Sequence, residues 1–172
     1  MCGLESFKLD LKRLEEGTNA LQFTLDDAYF KAMECPEVER GNVSVDMQVK
    51  RTGDMFDISC HVDGVAIVPC DRCLTDMEQP VEADSRVVAR LGQQDGEDGE
   101  VIVVDENDGT LDVAWMLCET VALALPVKHV HEPGKCNPEM EEKLKQLAAG
   151  NGADNAAEGA DPRWSKLKDL KI

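Results

Sequence analysis

Two cysteines separated by two residues have the clearest chemical potential in this sequence. Cys70 and Cys73 follow a proline at the predicted end of a strand, and a second pair of donors, His131 and Cys136, lies in a loop-like stretch downstream. Thiolates at the C-x2-C spacing can bind one metal ion from a single turn. We therefore predict a four-ligand Zn²⁺ site. Metal binding there would contribute on the order of 10 kcal/mol and would fix the strand end to the downstream loop.

Several alternatives to this site remain open. His129 is a competing nitrogen donor, and the C-x2-C pair could instead be a redox dithiol or two free thiols. Redox dithiols of the thioredoxin type belong near a βαβ pattern, which the sequence lacks. We expect the remaining cysteines of apolar segments to be small buried hydrophobes; they are Cys35, Cys60 and Cys118. The odd total of seven cysteines, without a secretory signal, predicts reduced thiols in a cytoplasmic protein.

The charge of the chain limits its partners. It carries 35 acidic and 18 basic residues, for a net charge of −17. Such a surface repels nucleic acid at long range and attracts basic proteins. A local basic patch is the exception that would permit RNA binding; its members are Arg86, Arg90, Lys128 and Lys135. No apolar run reaches the roughly 20 residues that a membrane helix needs, so we expect no membrane partner.

Period-two apolar patterns predict the strands that position the cysteines. They occur in residues 6–14, 21–25, 43–49, 56–62, 65–68 and 81–91, with a hairpin turn at Asp63-Gly64. Short helices are predicted with Asp26 or Asp27 and with Asn137 as their N-caps, and a longer helix, apolar nearly all round, spans residues 112–125. The predicted fold class is α+β: an antiparallel β-meander or partly open barrel packed against one buried helix, with a second helix and a flexible C-terminal tail.

The composition changes near the C-terminus. We expect a single α+β domain in residues 1–149, a disordered linker in residues 150–160 and a basic amphipathic tail in residues 161–172. In the tail, Trp164, Leu167 and Leu170 recur at the spacing of one helical face. The tail could dock on its own acidic domain or insert into a partner.

Several segments resemble the YceD family, also called large ribosomal RNA subunit accumulation protein. They are residues 69–74 around the C-x2-C pair, the Leu111-Asp112 step before the buried helix, and residues 124–131, followed by Cys136. The C-terminal segment from Asp161 to Leu170 is also similar in kind. The resemblance implies a role in large-subunit ribosomal RNA and no known catalytic activity. In a common version of the family the later pair is two cysteines, and His131 stands at the first of these positions.

We therefore expect a non-enzymatic ribosome-biogenesis factor. It would act through contacts with a basic ribosomal protein or assembly factor, using the acidic stretch 95–112 and the tail. One alternative is a zinc-stapled interaction domain unrelated to the ribosome. Another is a zinc hydrolase or thiol oxidoreductase with Glu132 as general base. Against the enzyme, the sequence contains no H-E-x-x-H, G-x-S-x-G or P-loop motif.

Overall fold

The computed structural model describes residues 4–93 and 101–148, and in that part of the chain it shows an α+β fold. The strands are β1 (Lys8–Asp10), β2 (Gly17–Leu25), β3 (Arg40–Thr52), β4 (Met55–Pro69), β5 (Asp76–Gly92), β6 (Val101–Asp105) and β7 (Thr110–Asp112). The α-helices are α1 (Asp27–Met33), α2 (Ala114–Ala124) and α3 (Pro138–Leu147). The α+β prediction is therefore confirmed.

The main sheet has five strands in the order β2-β3-β4-β5-β6. The first four strands are antiparallel neighbours, as the predicted meander requires, but β6 pairs with β5 in parallel. A separate two-stranded antiparallel sheet joins β1 to β7. The fold is thus a mixed open sheet and not a closed barrel.

Strict alternation in β3 and β4 gives the sheet one buried face and one polar face. Val45 and Met47 of β3 lie buried beside Val62 and Cys60 of β4, whereas the residues between them face solvent. Helix α2 contributes to the same core, chiefly through Leu117. Burial of each large aliphatic side chain contributes about 1.5–3 kcal/mol, so this layer is the main source of stability.

The predicted hairpin at Asp63-Gly64 is wrong, because β4 runs through it without a break. Gly64 pairs with Val43, and a Cβ atom on Gly64 would lie 2.3 Å from the carbonyl oxygen of Asn42. Gly64 therefore allows the backbones of β3 and β4 to approach closely, which is a second reason, besides a turn, for a glycine within a strand. The turn that the sequence predicts at Thr52-Gly53-Asp54 is confirmed: the chain reverses there between β3 and β4, and Gly53 has φ of +61°.

The N-terminal strand predicted for residues 6–14 is mostly irregular. Only three of these residues form a strand, β1, and short 3-10 turns flank it. Phe7, Leu9 and Leu11 are nevertheless buried as the pattern predicted. Helix α2 begins two residues later than predicted, with the Asp112 carboxylate accepting a hydrogen bond from the Ala114 amide at 2.9 Å.

The chain divides into two compact units, residues 1–136 and residues 137–172. Helix α3 belongs to the second unit, and Asn137 caps it as predicted. The predicted linker 150–160 and tail 161–172 lie outside the described residues, so the domain division at residue 149 stays a prediction. Within the described residues, no helix is both long and apolar enough to cross a membrane.

Candidate metal centre

The C-x2-C pair lies in the tight turn that joins β4 to β5. The Cys70 amide donates a hydrogen bond to the Thr75 carbonyl at 2.9 Å, and the Leu74 amide donates to the Cys70 carbonyl at 2.9 Å. Leu74 adopts the left-handed conformation, with φ of +58°. These constraints hold both cysteine side chains on the inside of one turn.

Polar groups of the turn surround both buried thiols. The Arg72 amide donates to Cys70 Sγ at 3.4 Å, and the Thr75 hydroxyl lies 3.0 Å from Cys73 Sγ. Burial opposes ionisation of Cys70, but hydrogen bonds from backbone groups outweigh it, so the pKa of Cys70 lies below its usual value. Amides directed at sulfur favour the thiolate, which is the form of cysteine that binds metal.

A reciprocal contact ties the turn to the segment after α2. The His129 amide donates to an Asp71 carboxylate oxygen at 2.8 Å, and the Asp71 amide donates to the His129 carbonyl at 3.0 Å. The His129 ring is buried, with Nδ1 3.2 Å from the Pro126 carbonyl and Nε2 facing Asp71 at 3.6 Å. His129 therefore helps to position the loop, and its ring nitrogens face these two partners.

His131 reaches the thiols instead. Its Nδ1 lies 3.4 Å from Cys73 Sγ, and the donor atoms of Cys70, Cys73, His131 and Cys136 all lie within 4.8 Å of one another. Ligands of a tetrahedral Zn²⁺ site are separated by about 3.6–3.8 Å, given Zn–S and Zn–N bonds of about 2.3 and 2.1 Å. The structure thus brings together the four residues that the sequence singled out, in a cluster able to hold a metal ion.

The pKa values of the groups in the cluster are shifted in different directions. A hydrogen bond to Cys70 raises the pKa of His131, while burial and the neighbouring thiols raise the pKa of Cys136 to about 11. A thiol must be deprotonated to bind metal. Metal binding at this cluster would therefore release protons.

The predictions that the other cysteines are small buried hydrophobes and that all thiols are reduced are partly wrong. Cys60 is buried on the inner face of β4, where burial raises its pKa to about 11. Cys35 and Cys118 are buried as predicted, but they form a disulfide that joins the end of α1 to α2, with a Cα–Cα distance of 5.9 Å. Their separation of 83 residues offers no local signal for pairing. Only their shared apolar setting could have suggested it.

A family model matches a region that includes the whole cluster. The model is described as large ribosomal RNA subunit accumulation protein YceD, and it matches residues 58–171 of the 172-residue chain. The chain belongs to the YceD family. This confirms the resemblance noted from the sequence. No curated protein and no solved structure matches the chain.

The YceD family description names accumulation of a ribosomal RNA and no reaction. Two members of the predicted basic patch form ion pairs at the surface: Arg86 Nε donates to Asp57 at 2.7 Å, and Lys135 Nζ contacts Glu132 at 2.8 Å. The same contact lowers the pKa of Glu132, which weakens it as a general base. The contact with Lys135 thus disfavours Glu132 as a general base, and two of the four residues of the predicted basic patch lie beside carboxylates.

Proposed function

We propose that this YceD protein supports accumulation of large-subunit ribosomal RNA without catalysis, by contact with a basic ribosomal protein or assembly factor. The family match supports the ribosomal RNA part of this proposal. The net charge of −17 supports the protein contact, because an acidic surface attracts basic proteins and repels RNA. The proposed setting is the cytoplasm.

The polar face of the sheet adds a local reason for this choice. His61 of β4 lies between Asp46 of β3 and Asp84 of β5, and its Nδ1 is 2.9 Å from the Asp84 carboxylate. Asp63 and Glu82 form the adjacent cross-strand pair on the same face. This acidic surface suits lysine and arginine side chains of a partner.

We propose in addition that Cys70, Cys73, His131 and Cys136 bind Zn²⁺. Three thiolates and one imidazole form a known structural donor set, and four protein ligands leave no open position for a substrate. When bound, the ion would cross-link the β4–β5 turn to the loop after α2. The cluster would thus stabilise the fold that presents the acidic face.

The zinc proposal is tested by metal analysis of purified protein. We expect one zinc per chain in the parent, substantial loss in Cys70→Ser and His131→Ala, and full retention in Cys60→Ser. Cys60 is the matched control because it is a buried cysteine outside the cluster. A metal-free parent protein with a native fold would contradict the proposal.

The ribosomal proposal is tested by depleting the protein and measuring large-subunit against small-subunit RNA. We expect a selective fall in the large-subunit RNA, restored by the parent gene. An unchanged ratio would favour the alternative of an interaction domain unrelated to the ribosome.

A salt titration separates protein binding from RNA binding. The purified protein is titrated with basic ribosomal proteins and, separately, with large-subunit RNA. Tight RNA binding that weakens steeply with salt would contradict the protein-contact mechanism, since each neutralised phosphate adds about 0.7 to 0.9 to the logarithmic salt slope.

A further inference from the structure

Strand β5 has a long edge without a partner strand in the described part of the chain. It pairs with β4 along its length, from Asp76 to Arg90, whereas β6 covers only Val88 to Gly92. Among residues 4–93 and 101–148, no strand pairs with the other edge of β5 between Asp76 and Val87. An edge of this kind offers free amides and carbonyls for strand addition.

The register identifies which backbone groups face outward. The β4–β5 pairing runs without a bulge from Met55–Arg90 to Pro69–Asp76, so the direction of the amides alternates throughout. The Leu91 amide donates to the Asp54 carbonyl at 3.0 Å, which lies on the β4 side. Odd-numbered amides of β5 therefore point toward β4, and even-numbered amides point toward the open edge.

Pro80 agrees with this assignment. It is even-numbered and has no amide hydrogen, so it costs the β4–β5 ladder nothing at an outward position. Its carbonyl accepts a hydrogen bond from the side chain of Gln79 at 3.2 Å. The outward donors of the open edge are thus the amides of Glu78, Glu82, Asp84 and Arg86.

The two sides of the open edge differ in chemistry. On the polar face, Glu78, Glu82 and Asp84 are exposed along the strand. On the inner side, a groove of about 250 Å³ runs between Ala83 to Ser85 of β5 and the end of α2. Leu123 of α2 lines this groove and is 78% exposed. A strand added here would therefore meet acids on one face and apolar surface on the other.

We propose that the open edge of β5 binds an extended segment of a partner protein in which basic and apolar residues alternate. Because side chains of a strand alternate between faces, the basic residues would meet Glu78 and Glu82 while the apolar residues cover Leu123. The inference rests on the proposal above that the protein acts through protein contacts. It adds the binding mode and the sequence pattern of the partner segment.

A second copy of this chain fits the edge poorly. Antiparallel pairing of two β5 edges about Glu82 would place the two Glu82 side chains opposite each other, and like charges across strands are destabilising. Each copy also carries a net charge of −17. Charge complementarity therefore favours a basic segment.

The probe is a ten-residue peptide of alternating lysine and valine with blocked ends, titrated into the full isotope-labelled chain. One control peptide has glutamate in place of each lysine. A second control has the same lysines and valines grouped in two separate blocks. We expect NMR shift changes and slowed hydrogen exchange at the amides of Glu82, Asp84 and Arg86, with the alternating basic peptide only. The assay does not measure ribosomal RNA, so its outcome is separable from that of the depletion experiment.

Substitutions at one position separate charge from backbone pairing. Glu82→Gln removes the charge and keeps the amide, whereas Glu82→Pro removes both. We expect about a threefold loss of peptide affinity for the first and about a further fivefold loss for the second, as one charge pair and one hydrogen bond imply. Asp46→Lys is the matched control, since it reverses an exposed acid of the same face two strands from the edge; its effect should be smaller than that of Glu82→Lys.

Four outcomes would overturn the proposal. The first is no binding of the alternating peptide. The second is binding with shifts centred on Asp46 and His61 and equal affinity for Glu82→Gln and Glu82→Pro, which would mean docking on the face. The third is self-association of the free protein with protected edge amides, which would identify a second copy as the occupant. The fourth is protection in the monomer that disappears when residues 149–172 are deleted, which would identify the chain's own tail.

Discussion

The disulfide between Cys35 and Cys118 should be a large contributor to stability in the oxidised protein. It closes a loop with a sequence separation of 83 residues, which includes β3 to β7. In the chain-entropy treatment, a cross-link across a loop of this length lowers the entropy of the unfolded chain by about 15 cal/mol/K. This corresponds to about 4.5 kcal/mol at 25 °C. Reduction should destabilise the protein by that amount, through the unfolded state.

The assay is urea denaturation followed by tryptophan fluorescence and by far-UV circular dichroism, with and without a phosphine reductant, at constant metal loading. With a slope of about 2 kcal/mol per molar urea, the midpoint should fall by about 2 M on reduction. Cys35→Ala in the reduced state should differ little from the reduced parent. The double variant Cys35→Ala with Cys118→Ala should show no response to reductant.

A difference below about 1 kcal/mol between the oxidised and reduced parent would refute the loop-entropy reasoning. So would an equal response to reductant in the double variant, because the effect would then arise elsewhere. Cys60→Ser is the control for that second result, since Cys60 is buried but is not part of the disulfide.

Three further predictions concern single positions. Gly64→Ala should destabilise by about 1–3 kcal/mol in thermal or urea unfolding, because the new Cβ would lie 2.3 Å from the Asn42 carbonyl oxygen; an unchanged midpoint would contradict the close approach. Leu74→Gly should stabilise by about 0.5–1 kcal/mol, since Leu74 has a φ of +58° and is 69% exposed, so relief of left-handed backbone exceeds the entropy cost of glycine; a lower melting temperature would mean that its side chain matters. The hydrogen bond to Asp84 raises the pKa of His61 above 6.5, with smaller contributions from Glu82 and Asp63 on a face that also carries Asp46. The stabilisation is therefore complete below pH 6.5 and is lost as the pH rises through the folded-state pKa, so His61→Gln should flatten that part of the stability profile, and an NMR titration of the ring at or below 6.5 would contradict the assignment.

Local periodicity predicted most elements of the fold. The alternation in β3 and β4 and the cap residues of α1 and α3 depend on neighbours in sequence, which a single sequence displays. The signal failed at Gly64, because glycine permits both a turn and a close backbone approach, and only the register with β3 distinguishes them. The parallel pairing of β6 with β5 is likewise a property of tertiary packing.

The candidate site shows the same division. The spacing of Cys70 and Cys73 defines a local turn, so the grouping of these two thiols could be predicted from the sequence. The sequence also favoured His131 as the nitrogen donor but left His129 open as an alternative, because the reciprocal contact of His129 with Asp71, 58 residues away, arises only from tertiary packing. The disulfide was missed for the same reason, since its two cysteines meet only through the packing of α1 and α2.

The pairing of β1 with β7 has a consequence for synthesis of the chain. Leu9 pairs with Leu111, so the first strand waits for about a hundred residues to be translated before its partner exists. At about 5–20 residues per second, that delay is about 5–20 s. During this time the apolar side chains of Phe7, Leu9 and Leu11 lack their final cover. Residues 7–11 of a nascent chain should therefore be accessible to chaperones until β7 has been made, even though they are buried in the finished protein.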